Sequence, residues 1–255
     1  MTLLKPDEPP SVEVAHRAAR SVFVLTCDHA SHRIPAALGS LGVPAAERLR
    51  HIAWDIGALA VAQGLAAVLD GVLISSGYSR LVMDVNRSPS RRDAIPTLSE
   101  ATAIPGNVGL SAADRAMRQR EIFEPYHAAI DQLLTARLVA GQATMYVAIH
   151  SFTPVYQGTV RPWHVALLSN RDRRVAEVLL AALACDPTLC VGDNIPYRVT
   201  DEGDYGIPVH AEGRGLPHVL IEIRQDEITT HAGQQQWISR LAPLLLSAQK
   251  VLGLA

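Results

Sequence analysis

The sequence predicts an α/β fold in which a mostly parallel sheet carries helices on both faces. Three features predict it. Short runs of β-branched and other apolar residues recur without polar alternation, as in strands buried on both faces. Stretches with apolar residues at helical spacing separate those runs, and several runs end abruptly in ionisable residues. Strands alternating with amphipathic helices wind into a parallel sheet through right-handed crossovers. Ligands collect outside the carboxyl ends of such strands, so the residues after each run are the ones to inspect.

The elements follow in order. Pro6 to Pro10 holds three prolines and two acids, which can neither propagate a helix nor join a central strand. Residues 1–20 are therefore expected as a loose N-terminal arm, with a single domain over 21–255. Ser21 to Cys27 reads as the first strand. Ala45 to Leu69, behind Pro44 and ahead of Gly71, has the periodicity of one helix. Gly71 to Ser76 and Ser79 to Val85 read as two strands, and the residues from Asn86 to Asn107 as a long functional loop. Ser111 and Asp114 form a capping-box pattern that opens a helix running to about Val139. Strands are expected at Thr144 to Ile149, Val165 to Ser169 and His218 to Ile223. Helices are expected at Arg171 to Leu183 and within Gln234 to Val251.

Composition narrows the class. A chain of 255 residues with 48% hydrophobic content can bury one full core. Its 23 basic residues against 25 acidic ones leave a net charge of -2, without the basic excess that drives binding to nucleic acid. The three cysteines, Cys27, Cys185 and Cys190, cannot all pair with one another, which suits a reducing cytoplasm. The first residues lack the apolar run of a secretory signal, and no stretch is long and apolar enough for a membrane span. A cytoplasmic monomer or small homo-oligomer is expected.

Asp28 and His29 follow the first strand, His150 and Ser151 follow the 144–149 run, and Glu222 and Arg224 sit in the last. A single histidine after a strand is most often a satisfied core or surface residue. Two of them with a carboxylate, each at the exit of a different buried strand, form the ligand set of a divalent metal, zinc by ligand type. His29 and His150 supply two ligands. Asp55, an acid flanked by Ile52, Ala53, Trp54 and Ile56, supplies the third, with Asp28 as its rival. Glu222, in an otherwise apolar run, has its charged form disfavoured, as suits a general base. On a strand, Arg80, Asp84 and Asn86 point to one side and Arg87 leaves from the turn beyond; guanidinium groups there suit a small substrate bearing carboxylates. Arg161 is a further anion contact, and His210 a candidate for substrate contact or proton transfer. His127 reads as a structural residue on its helix.

The segments TCDHAS (26–31), HIAWDIGA (51–58), YSRLVMDVNR (78–87), IPGN (104–107), PYH (125–127), IHSFTPVYQGTVRPWHV (149–165), VGDNIPY (191–197) and IEIRQD (221–226) resemble the N-formylglutamate amidohydrolase family. The resemblance runs from about Val22 to Trp237. It implies a phosphorylase/hydrolase-like α/β fold, related to zinc carboxypeptidases and aspartoacylases. The 80–87 stretch is similar to an R-x-x-x-D-x-N-R pattern in aspartoacylases. That similarity gives Arg80 the role of polarising the scissile carbonyl and Asn86 with Arg87 that of holding the substrate carboxylate. Glu222 takes the general-base role. Those relatives use H-x-x-E for two metal ligands, whereas here His32 stands where the Glu would fall, so either Asp55 or His32 substitutes.

The expected activity is metal-dependent hydrolysis of the amide bond of an N-formyl or N-acyl acidic amino acid. A peptide or cell-wall amidase of carboxypeptidase type and a non-catalytic carboxylate-binding protein are the competing readings. A Cys27 nucleophile beside His29 is a further one, though Cys27 ends an apolar strand where packing is its usual role.

Overall fold

The computed structural model describes residues 2–254; positions 1 and 255, the outer ends of the expected arm and domain, lie outside the described residues. One seven-stranded sheet holds β1 (Val12–Ala15), β2 (Phe23–Cys27), β3 (Val72–Ser76), β4 (Met145–Phe152), β5 (Val165–Leu168), β6 (Val191–Asp193) and β7 (His218–Arg224). Their order is β1-β3-β2-β4-β7-β5-β6. The four central strands are mutually parallel, while β1 at one edge and the β5–β6 pair at the other run against them.

Side-chain alternation divides the interior into two cores. Leu25, Val147 and Ile221 face one, and Val24, Tyr146, Ala148 and Leu220 face the other. Both faces are dry, which is why these strands read as continuous apolar runs. Helix α1 (Ala58–Val68) covers the first face together with two later helices. On the second face, α2 (Ala112–Arg118) continues through a π-turn, Gln119–Phe123, into α3 (Glu124–Val139). The helices that join α1 on the first face are α4 (Arg174–Leu183) and α5 (His231–Val251). The expected capping box is present, with Ser111 Oγ accepting from Asp114 N at 3.1 Å. Among the described residues no helix is long and apolar enough to cross a membrane.

Three expectations need correction. Residues 2–20 are not a loose arm: Val12–Ala15 pairs antiparallel with β3, and Leu3, at 1% exposure, is buried. The N–H groups of Leu3 and Leu4 donate to Glu121 Oε2 at 2.7 and 3.0 Å. The prolines at 6, 9 and 10 lie before the ladder, so they cost it no hydrogen bond.

The helix expected over 45–69 is interrupted. A single turn, Ala45–Arg48, is followed by turns until α1 begins behind Gly57, whose φ of 80° is left-handed. The Asp55 N–H donates to His29 O at 2.9 Å, which draws the chain out of the helix and toward the end of β2.

Ser79–Val85 is not a strand, because β1 already occupies the edge beside β3. Turns hold it instead: Ser79 Oγ donates to Ala53 O at 2.8 Å and accepts from Leu81 N at 3.1 Å, and Asp84 Oδ1 accepts from Asn86 N at 2.9 Å. The loop beyond is pinned from α2. The buried Arg118 guanidinium donates to Val82 O at 3.0 Å and to Asn107 Oδ1 at 2.7 Å.

Candidate active site

The parallel strands deliver their polar residues to one rim. His150 and Glu222 are register partners across β4 and β7, each two residues beyond an apolar neighbour on the second face. Asp28 and His29 leave the end of β2, and the interrupted 49–57 segment folds Asp55 between the two histidines. His150 Nδ1 lies 2.8 Å and His29 Nδ1 3.3 Å from the same oxygen, Asp55 Oδ2. One ligand atom from each of His29, Asp55 and His150 falls within 4.8 Å of the others, and all three residues are buried. This group can hold a metal ion.

The far nitrogen of each imidazole is also engaged. His29 Nε2 is 2.8 Å from Asp84 Oδ1, and His150 Nε2 is 3.1 Å from Asp28 Oδ2. A carboxylate on the outer nitrogen is the usual support for a histidine ligand, since it fixes the tautomer and raises the basicity of the inner nitrogen. The rivals to Asp55 are therefore elsewhere: Asp28 stands behind His150, and His32 is exposed, tilted against the Trp54 ring at 5.0 Å.

Charge is concentrated here. Burial alone would raise the Asp55 carboxyl, but the two imidazoles and their hydrogen bonds outweigh it and hold it far below the usual carboxylate range. Burial likewise opposes protonation of His150, yet its bonds to Asp28 and Asp55 push it well above the ordinary imidazole value. Glu222 behaves oppositely. Burial dominates and pushes its carboxyl up to about 7, with His150 the largest opposing influence. Glu222 Oε2 has no hydrogen-bond partner among the described residues. Arg224 does not pair with it; that guanidinium binds Asp226 and Glu227 at 2.7 and 3.1 Å.

These groups open into a cavity of about 470 Å³, lined also by Arg80, Asn86, Arg87, Tyr156 and Tyr197. The model of the N-formylglutamate amidohydrolase family matches residues 21–229. The chain belongs to the N-formylglutamate amidohydrolase family. No curated protein sequence matches it. Among solved structures, a gene product of Agrobacterium tumefaciens is 37% identical with a TM-score of 0.95, the match covering 98% of this chain and 99% of that one. N-formylglutamate amidohydrolase from Ralstonia eutropha is 18% identical with a TM-score of 0.67, covering 95% of this chain and 98% of that one, and shares the fold.

Not every residue singled out in this amidohydrolase-family sequence faces the cavity with free polar atoms. Arg80 does line it, with Nη2 2.8 Å from Asp84 Oδ2 and Nη1 3.5 Å from Asp55 Oδ1. Asn86 lines the wall with its amide engaged. Its Oδ1 accepts from Tyr205 N and Gly206 N, both at 3.0 Å, and its Nδ2 donates to Asp204 at 3.1 Å. Arg87 donates to Gly203 O and stands 3.5 Å from Asp204. Arg161 does not itself line the cavity; it is buried at its wall between the rings of Tyr156 and Tyr197, at 4.5 and 4.7 Å, and donates to the Tyr197 hydroxyl at 2.6 Å. Cys27 is fully buried and burial pushes its thiol up, so it is inert as a nucleophile.

His210 is placed away from the cavity, stacked on the His127 ring at 5.1 Å with the Tyr205 ring 6.2 Å away. His127 Nε2 must donate to the Val85 carbonyl at 2.7 Å, so its Nδ1 accepts from His210 Nε2 at 2.8 Å. Both rings are neutral, burial pushing them down to about 4 and about 3 respectively. Folded values below the unfolded one mean that this stabilisation is complete above the ordinary imidazole value of 6.5 and is lost as pH falls from there. Relative to a His210→Gln variant, the wild type is expected to lose about 1.4 kcal/mol per pH unit between about pH 6 and 4. Urea unfolding at each pH measures this, and parallel curves for the two proteins would contradict it.

Proposed function

We propose that this member of the amidohydrolase family hydrolyses the amide bond of an N-formyl or N-acyl acidic amino acid, with a divalent metal held by His29 Nδ1, Asp55 Oδ2 and His150 Nδ1. The observation that carries the reading is the convergence of those three donors with a carboxylate behind each imidazole and an unpartnered acid beside them. The donor set fits zinc. Such an ion supplies Lewis acidity, lowering the pKa of a water and polarising the carbonyl under attack.

The chain's own groups do the rest. Glu222 takes the proton of the attacking water on Oε2 and returns it to the leaving nitrogen, so that the amide C–N bond breaks and a carboxylic acid and an amine are released. A carboxyl pushed up to about 7 can run in both directions near neutrality. Arg80, fixed through Nε and Nη2 on Asp84, turns its less engaged Nη1 to the carbonyl oxygen. Arg161 receives the substrate carboxylate. Its charge is matched by no carboxylate among the described residues, whereas Arg87 is occupied by Gly203 and Asp204. Asn86 and Arg87 act as the wall that shapes this end of the cavity.

The test is hydrolysis of N-formylglutamate, N-acetylglutamate, N-formylleucine and short peptides, before and after chelation and zinc addition. Chelation is expected to abolish turnover and zinc to restore it, with the acidic substrates preferred. Arg161→Gln should raise KM for them tenfold or more, since a hydrogen bond to a charged group contributes about 1.5–3 kcal/mol. Activity that survives chelation sinks the metal assignment; equal rates on acidic and neutral substrates sink the substrate class.

A further inference from the structure

We infer that Tyr126 is a positioning residue for His150, acting through Asp28, and that it sets the metal affinity of the site. This rests on the metal reading of His29, Asp55 and His150.

The two imidazoles are backed by carboxylates in different surroundings. Asp84, behind His29, is held on several sides: its Oδ2 accepts from Arg80 Nε and Nη2 at 3.2 and 2.8 Å, and its Oδ1 also accepts from Asn86 N at 2.9 Å. A guanidinium both anchors it and neutralises it. Asp28, behind His150, pairs with no Arg or Lys among the described residues. Apart from His150, its side-chain partner is the Tyr126 hydroxyl, which donates to Oδ1 while Oδ2 faces His150 Nε2.

A carboxylate on a single torsion swings unless both oxygens are held, and a swing of Asp28 would release the outer nitrogen of His150. Tyr126 prevents it. Its ring is 0% exposed, fixed in the first turn of α3 behind Pro125, so the hydroxyl is delivered with little freedom left to lose. Being neutral, the phenol orients Asp28 without cancelling its charge. His150 therefore faces a full negative charge and His29 a compensated one, which makes the two histidines unequal donors.

A second buried phenol provides the control. The Tyr146 hydroxyl lies on the same face, near Gly206 and Asp28, and has no hydrogen-bond partner among the described residues. If proximity of a phenol were enough, the two tyrosines would be equivalent; the geometry assigns the role to Tyr126 alone.

The experiment titrates zinc into chelator-stripped wild type, Tyr126→Phe, Tyr146→Phe, Asp28→Asn and the Tyr126→Phe, Asp28→Asn double variant, with thermal melting of each metal-free protein. Tyr126→Phe is expected to raise the zinc Kd about ten- to a hundredfold, while the metal-free protein, though it melts somewhat lower for loss of a buried hydrogen bond, still unfolds in one cooperative transition. Tyr146→Phe should leave Kd unchanged. In the Asp28→Asn background, losing the Tyr126 hydroxyl should cost nothing further. A Kd unaffected by Tyr126→Phe, or by Asp28→Asn, overturns the assignment. Wild type that takes up no zinc fails differently, by removing the metal site on which this role rests.

Discussion

Glu222→Gln is expected to lower kcat by about 10² to 10⁴-fold, the usual contribution of a positioned proton-transfer group, while zinc uptake stays at the wild-type level. The amide is isosteric with the carboxyl but cannot accept and return a proton. The same substitution should make the metal-free protein more stable at alkaline pH. A folded pKa raised above the unfolded 4.5 means that the charged acid destabilises the fold progressively from pH 4.5 to about 7 and fully above that. Removing that charge gains up to about 3 kcal/mol by linkage. The combination of lost turnover with retained metal and raised stability separates a catalytic group from a structural one. Kinetics, metal content and urea unfolding at pH 8 together check it, and wild-type turnover in the variant would exclude Glu222 from the mechanism.

Gly57→Ala is the largest expected effect on the fold. Gly57 has φ 80°, and an added Cβ would stand 2.3 Å from the Ile228 carbonyl oxygen. The left-handed backbone disfavours any side chain by about 1–2 kcal/mol, and displacing backbone in a packed core adds about 1–3 kcal/mol. A loss of about 2–5 kcal/mol is expected, together with weaker zinc binding, because the turn that sets Asp55 between the histidines ends at this residue. Gly64→Ala makes an equally close contact, 2.1 Å, but with the flexible Cδ1 end of Ile238, and helical Gly64 tolerates a methyl group in its backbone conformation. Urea unfolding of both variants should rank Gly57→Ala as clearly the worse; equal losses would refute the backbone argument.

The central strands were legible in the sequence because burial on both faces leaves an unbroken apolar run, as in Met145–Phe152 and His218–Arg224. The convergence of His29 and His150 followed from the same logic, since parallel strands share one carboxyl rim. Asp55 was legible as an acid in apolar company, but not the turn that carries it: the apolar spacing continues through the break, and only Gly57 marks it. The Ser79–Val85 stretch misled for a related reason. Its composition suits a strand, yet no sheet edge was free, and edge occupancy is a property of the whole topology. His210, in the loop before the last strand, reads from sequence as a candidate for substrate contact or proton transfer; its engagement by His127 depends on a contact 83 positions away in the chain. The roles of Tyr126 and Tyr197 carried no local signal, because a tyrosine in a helix or loop reads as packing until its hydroxyl's partner is seen.

The segment matched by the family, 21–229, is shorter than the packed sheet and its covering helices. Val12–Ala15 completes one border of the sheet, and His231–Val251 lays Trp237, Leu241 and Leu245 over the core beneath the first face. Excising the chain to its recognisable motifs would strip a border strand and a roof helix while leaving every ionisable group of the rim in place. Chemistry and foldability thus have different boundaries in this molecule.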